Sequence, residues 1–330
     1  MENIRKKNLS NKIGKIVTRY PFLAVIAVFI ILFSIFSIIN RLFASSQNWG
    51  GIVSLASETG ILALGVTFLM ISGEFDISIG SNFALCAAVF GGLLAIKGFP
   101  QFLAFIIAII IGAIIGLLNG VITLKIKIPS FIATLGTMMI WRGLVYYITG
   151  NQNYVRYTGK ETILLKIMSV NFFGQFKVNV FWLLIIFLIL QFILFHTKYG
   201  NYVFAVGGNI EAAAAMGVNT SLVKIMNFTL VGLLAGIAGC LSFSHIHIVD
   251  PLMGKGLELR TIAAAVIGGT LLYGGYGNLI GTIFGLVVVS MIGSFLVMVG
   301  VNVFWLDSII GLLLILAVIL NTKIKMLERL

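Results

Sequence analysis

The chain reads as an all-α integral membrane protein, with about ten transmembrane helices arranged as an inverted internal repeat. Three observations lead there. Of its 330 residues, 60% are hydrophobic and only 10% are charged, against about 25% charged in an average soluble domain. The mean hydropathy is +1.12. Apolar stretches of about the 20 residues needed to cross a bilayer recur along nearly the whole length. So few charges cannot cover a globule with polar surface, so lipid has to act as solvent for most of the chain. The 37 glycines and four prolines suit packed helices, because small residues let backbones approach closely.

Residues 1–20 form a basic lead carrying Arg5, Lys6, Lys7, Lys12, Lys15 and Arg19. The first apolar run, 21–40, is long for a secretory leader, and no clean small-residue cleavage site follows it, so it is expected to remain as a helix. The second run, 50–72, leads into Ser72-Gly73-Glu74-Phe75-Asp76-Ile77-Ser78-Ile79-Gly80-Ser81. Glycine there permits a sharp turn, and Ser78 or Ser81 is placed to cap the next helix. Two readings stay open for this cluster. It is either a short turn with solvated acids or a re-entrant break lining a polar pathway, since irregular backbone at membrane depth survives only around a cavity or inside protein. Glu74, Asp76, Ser78 and Ser81 are the candidate pathway residues.

The third run, 80–97, is short and glycine-rich, and the fourth is 101–124. Lys125 and Lys127 precede the fifth, 129–149, which holds Arg142 beside Trp141. Arg142 either snorkels outward or pairs with an acid in the bundle. A loop at 150–179 with Arg156, Lys160, Lys166 and Lys177 leads to the sixth run, 180–197. After the polar segment 198–221 comes the seventh run, 222–245, whose far end carries His245, His247 and Asp250. His-x-His with one acid and no third strong ligand is weak evidence for metal, so these are read as interfacial polar residues and no metal is assigned. Gly254-Lys255-Gly256-Leu257-Glu258-Leu259-Arg260 then enters the short eighth run, 259–273. Glu258, a further pathway candidate, and Arg260 are two apart and do not face each other on a helix. A glycine-rich turn, Gly274 to Asn278, precedes the ninth run, 278–300. The tenth, 303–321, has Asp307 near its start and is followed by the tail 322–330 with Lys323, Lys325 and Arg329. Cys86 and Cys240 lie inside apolar runs and read as small buried hydrophobes, not as a disulfide.

An even number of crossings puts both termini on one side. The basic lead and basic tail make that side cytoplasmic, which also places 198–221 inside and 150–179 outside. The positive charges of 150–179 oppose the rule, but the segment is long enough to fold over the outer face. Ala87-Ala88-Val89-Phe90-Gly91-Gly92 in the third run matches Ala264-Ala265-Val266-Ile267-Gly268-Gly269 in the eighth. Gly112-Ala113-Ile114-Ile115-Gly116-Leu117 in the fourth resembles Gly281-Thr282-Ile283-Phe284-Gly285-Leu286 in the ninth. Both pairs are five runs apart, and an odd offset inverts the second half relative to the first.

The formal net charge of +12 sits at the edges of apolar runs, as topology signals do, and gives no reason to invoke nucleic acid. No nucleophile, acid–base pair or glycine-lysine-serine/threonine phosphate loop stands out, so the chain does not read as an enzyme and no cofactor is expected. Energy for transport has to come from an ion gradient or a partner. Glu58 and Asp307 are the nearest acids to an ion relay, and they do not join into a chain. A partner-driven device instead needs a short helix on the cytoplasmic side. Residues 209–217 fit: Asn209 to cap, Glu211 in the first turn, Ala212 to Ala215 with the highest helix propensity, and Gly217 to stop it.

The string Tyr199-Gly200-Asn201-Tyr202-Val203-Phe204-Ala205-Val206-Gly207-Gly208-Asn209-Ile210-Glu211-Ala212-Ala213, with Gly217 after it, resembles the EAA-type loop of ATP-binding-cassette (ABC) importer permeases. It is most similar to the ribose/monosaccharide permease family. Phe75 to Ser81, Pro129 to Gly136, Arg142-Gly143, Gly256 to Leu259, Ile262 to Ala264, Gly268 to Thr270 and Gly281-Thr282 match that family's strings in order, over about residues 50 to 321. The resemblance implies a ten-helix permease domain over 21–321 that dimerises, docks on an ABC ATPase subunit and receives sugar from an extracellular solute-binding protein. Gly208, Asn209, Glu211, Ala212, Ala213 and Gly217 would then form the coupling contact with the ATPase. The chain departs from the family at Glu74, more often glycine, and at Arg260, often aspartate. Both departures leave the exact sugar open, with a polyol, nucleoside or quorum-signal sugar included. A permease for branched-chain amino acids or nucleosides and an ion-coupled carrier or channel are the alternatives.

Overall fold

A computed structural model of the chain describes residues 22–96, 98–150, 155–157, 159, 163–172, 176–302 and 304–327. The basic lead 1–20, Lys160 and Arg329 lie outside the described residues. From the first end of the chain, helices α1 (Phe22–Ile39), α2 (Ser46–Ile71), α3 (Ile79–Ala95), α4 (Gln101–Lys125) and α5 (Ser130–Ile148) follow one another closely. A seven-residue helix, α6 (Ile163–Ser169), then precedes α7 (Asn179–His196). Next come α8 (Lys198–Gly208), α9 (Ile210–Ala215) and the long α10 (Thr220–Ile246). The chain ends with α11 (Leu257–Ile267), α12 (Leu279–Met298) and α13 (Trp305–Leu327). The strands are two-residue ribbons: Val155–Arg156 pairs with Ile248–Val249, and Asn171–Phe172 with Phe176–Lys177.

Each expected apolar run holds one helix. Six of them (α2, α4, α5, α7, α10 and α12) are long and apolar enough to cross a membrane, and α1, α3 and the first part of α13 are shorter apolar helices. Three boundaries differ from the sequence reading. α2 begins at Ser46 because the Ser45 hydroxyl accepts the Asn48 amide at 3.3 Å. α11 stops at Ile267, not near residue 273, because Gly269 turns to φ +93° and Thr270 N–H bonds back to the Ala265 carbonyl. α13 runs on to Leu327, so most of the expected tail is helical.

Burial sorts the helices into layers. The apolar stretches of α2 and α10 are 78% and 67% buried, whereas those of α4, α5 and α7 are 28%, 22% and 28% buried and face outward. α10 is the spine, and it packs along α4 through glycines. A Cβ on Gly116 would strike the Phe228 carbonyl, and one on Gly232 would strike the Gly112 carbonyl. α12 packs on α11 in the same way, with Gly281 against Gly268 and Gly285 against Ala264. Both glycine pairs of the matched strings are therefore used for backbone-to-backbone packing, the first against α10 and the second against α11. Cys86 and Cys240 are buried and free.

Candidate functional site

The short helix singled out in the sequence forms as α9. α8 starts after Thr197, whose hydroxyl accepts the Gly200 amide, and ends at Gly208. Asn209 is extended and caps α9, its Oδ1 accepting the Ala212 amide at 2.9 Å. Alanine holds the following positions, and Glu211 sits in the first turn, where the positive end of the helix dipole favours it. Gly217 at φ +82° closes the helix, with its N–H on the Ala214 carbonyl and that of Val218 on the Ala213 carbonyl. Only Ala213 of α9 is buried; Glu211, Ala212 and the adjoining Gly208, Asn209 and Gly217 are exposed. Met216 is 84% exposed and Ile210 is 45% exposed, so an acid and apolar side chains share one outward surface.

Behind this helix three chain segments meet backbone to backbone. A Cβ on Gly207 would run into the Ile71 carbonyl, which also accepts the Gly275 amide at 2.8 Å. Gly274, at φ +80°, lies against Gly73. Only glycine allows this approach. Tyr199 adds a polar tie: its hydroxyl donates to Asn227 Oδ1 at 2.7 Å, and Asn227 Nδ2 donates to the Phe68 carbonyl at 3.3 Å. The end of α2 is thus bound to α8, to α10 and to the turn before α12.

From that junction the chain leaves helical geometry at Ser72 and resumes it at Ile79. The solvated-turn alternative does not fit the burial. Asp76 is 1% exposed and its two oxygens are filled: Ser78 N–H and Oγ–H reach Oδ1 at 2.8 and 2.7 Å, and Asn119 Nδ2 reaches Oδ2 at 3.0 Å. The free amides of Phe75 and Ile77 bond to the hydroxyls of Ser130 and Thr134 at the start of α5. This is irregular backbone kept inside protein with its polar groups satisfied. Ser78 stands at the cap position of α3 but turns its hydroxyl to Asp76, so the expected cap bond is not made. Ser81 is buried and donates to the Ser78 carbonyl at 2.8 Å. Glu74 forms a 2.6 Å ion pair with Lys224 of α10, the two side chains 13% and 10% exposed.

The beginning of α3 also meets the beginning of α11. Gly80 and Gly254 touch through their backbones, and Glu258 Oε2 lies so near Gly80 that no Cβ fits between them. Glu258 Oε1 accepts the Gly256 amide at 3.2 Å. Arg142 makes no ion pair among the described residues, although it lines one pocket with Glu258; Nη1 donates to the carbonyls of Pro251 and Met253 at 3.1 and 2.7 Å and holds the approach to α11. Arg260 pairs with Asp307 at 3.2 Å, so both departures from the family strings are halves of ion pairs. The structure thus brings Ser81 and Glu258 to one junction, Asp76 and Ser78 to the buried network beside it, and Glu74 to the α10 side. The residues expected to couple to an ATPase stand apart at α9. Asp250 accepts its own turn's Leu252 amide, and among the described residues no group of three or more metal-ligating side chains occurs. Lys224 and Asn119 went unnoticed in the sequence, although each is a polar residue set in an apolar run.

Apolar helices, two helix starts meeting inside the bundle and an exposed short helix together describe a multi-helix membrane protein. A family model described as branched-chain amino acid transport system / permease component matches residues 48–318, and the chain belongs to that family. It is 35% identical over 305 residues to the ribose import permease protein RbsC of Bacillus subtilis (strain 168), covering 92% of each chain. It is 32% identical over 295 residues to the autoinducer 2 import system permease protein LsrC of Yersinia pseudotuberculosis serotype O:3 (strain YPIII), covering 89% of this chain and 82% of that one. The LsrC of Yersinia enterocolitica serotype O:8 is 31% identical over 295 residues, covering 89% and 80%. No solved structure matches the chain. The chain is a multi-pass membrane permease and not an enzyme.

Proposed function

We propose that the chain is the membrane subunit of an ABC importer that translocates a monosaccharide, energised by a separate ATPase subunit and supplied by an extracellular solute-binding protein. The observation that carries this reading is the path from α9 to the helix break. An exposed, capped helix is joined through glycine backbone contacts and the Tyr199–Asn227 tie to the end of α2, where the chain opens around Asp76. A push on α9 by a nucleotide-driven partner would be passed to the break without slack, because packed backbones do not deform continuously. The outward Glu211, Ile210 and Met216 supply a small charged and apolar surface for that partner. The sugar class is taken from relatives named for ribose and autoinducer 2.

In this reading the ten helices cross the membrane with both termini cytoplasmic, and two copies assemble around the pathway. The inverted repeat is supported by α3 and α11, the shortened helices at equivalent places in the two halves, which begin against each other. Glu74, Asp76, Ser78, Ser81 and Glu258 border the pathway there. The test is reconstitution in liposomes with the ATPase and binding protein, measuring uptake of labelled D-ribose. ATP-dependent uptake is expected. Uptake by the permease alone under an ion gradient would instead make it a secondary carrier, and uptake of leucine with no sugar would move it to the amino-acid branch.

A further inference from the structure

A cavity of about 720 Å³ opens between α2, α10, α12 and the segment leading into α11. That size suits a small solute. Its walls are mostly apolar, with Ile52, Phe83 and Leu286 among them, and the hydroxyls of Thr59, Ser242 and Ser290 also line it. The one carboxylate on the lining is Glu58, midway along α2. Asn179 Nδ2 holds its Oε1 at 2.7 Å, and His245 Nε2 stands 3.9 Å from the same oxygen.

The groups beside Glu58 also keep unfilled bonding capacity. The His245 side chain is only 5% exposed, yet its Nε2 has no hydrogen-bond partner. Asn179 is fully buried and its Oδ1 is likewise unpartnered, as is Nε of Arg260 on the cavity lining. Buried polar atoms are nearly always bonded; Arg260 Nε on the lining, with the Glu58 carboxylate and the hydroxyls of Thr59, Ser242 and Ser290, offers a ligand both donors and acceptors. A carboxylate accepts from two hydroxyls at once, a charge-assisted contact, and an apolar wall receives the carbon face of a sugar ring. A zwitterionic amino acid fits less well, because Arg260 is already paired with Asp307 and Lys255, the other cation on the lining, is exposed to solvent.

We infer that this cavity is a transit site for a neutral polyhydroxylated solute, with Glu58 as its recognition group and Asn179 and His245 behind it. The inference rests on the monosaccharide-importer reading and gives that reading a site within a single copy of the chain. The test uses the full complex with its ATPase and binding protein, carrying Ser290→Cys. Cys86 and Cys240 are buried, which keeps background labelling low. Maleimide labelling of the introduced thiol is followed with D-ribose or L-leucine at saturation. D-ribose is expected to slow labelling severalfold and L-leucine to leave it unchanged. Adding Glu58→Gln is expected to remove the protection and, without the cysteine, to lower ribose uptake about tenfold. Ribose imported without protection, protection by leucine alone, or unchanged uptake in Glu58→Gln overturns the site while leaving the importer reading in place. Failure of the unsubstituted complex to import any monosaccharide with ATP overturns the importer reading and the ligand class together.

Discussion

The helix break and the cavity are both polar interruptions in an apolar bundle, yet their acids are held differently. At the break, Asp76 has donors on both oxygens, Glu74 has Lys224, and loose amides are taken up by Ser130 and Thr134. Beside the cavity, Glu58 has Asn179 on one oxygen, while His245, Asn179 and Arg260 each keep an atom without a partner, as Asn119 Oδ1 does at the break. A filled carboxylate in low dielectric holds one geometry, because moving any of its donors strands it. An unfilled one is costly until a solute completes it. That difference is the physical basis for proposing transmission at the one place and binding at the other.

Breaking the transmission side should have the largest effect. Gly207→Val drives a side chain into the Ile71 carbonyl and is expected to cost more than about 3 kcal/mol, seen as loss of folded permease in detergent. Gly208→Ala is the control, since its Cβ would meet only Gly275 Cα, at 3.9 Å, and it should fold normally. Equal damage from both would refute the junction. Next comes Asn119→Leu, which strips a donor from buried Asp76; a loss of about 1–3 kcal/mol is expected in thermal unfolding. Lys224→Met leaves Glu74 unpaired in a mostly buried position and should cost about 2 kcal/mol. The double variant Glu74→Gln, Lys224→Met should recover part of that. No recovery would mean the pair contributes only packing.

Asn209→Ala removes the cap of α9 and should cost about 1 kcal/mol. The smallest stability effect belongs to Glu211→Lys, on an exposed side chain with no bonded partner to lose. It should leave the unfolding transition in place yet lower sugar-stimulated ATP hydrolysis in the reconstituted complex. Normal coupling in that variant would remove α9 from the transmission path.

Much of this was legible before any coordinates. Asn209, Glu211, the alanines and Gly217 announce α9 because capping, propensity and termination are local effects. The helix positions followed from hydropathy for the same reason. The partners did not. Lys224 and Glu74 are 150 residues apart and Asn119 and Asp76 are 43 apart, so nothing local links them. Ser78 shows the limit even nearby: its type and place read as a cap, but a buried carboxylate two residues back won its hydroxyl. Arg142 went to backbone carbonyls, which a sequence cannot display as candidates.

By itself the sequence determined the solvent of this protein, the positions of its helices and the short helix between α8 and α10, because burial period, length and caps are carried by neighbouring residues. Only the tertiary structure decided that the acids at the break are bonded and buried, that α3 and α11 begin against each other, and that Glu58 faces a cavity. Those properties depend on which backbones come close enough to touch, and here that is set by glycines on helices far apart in the chain.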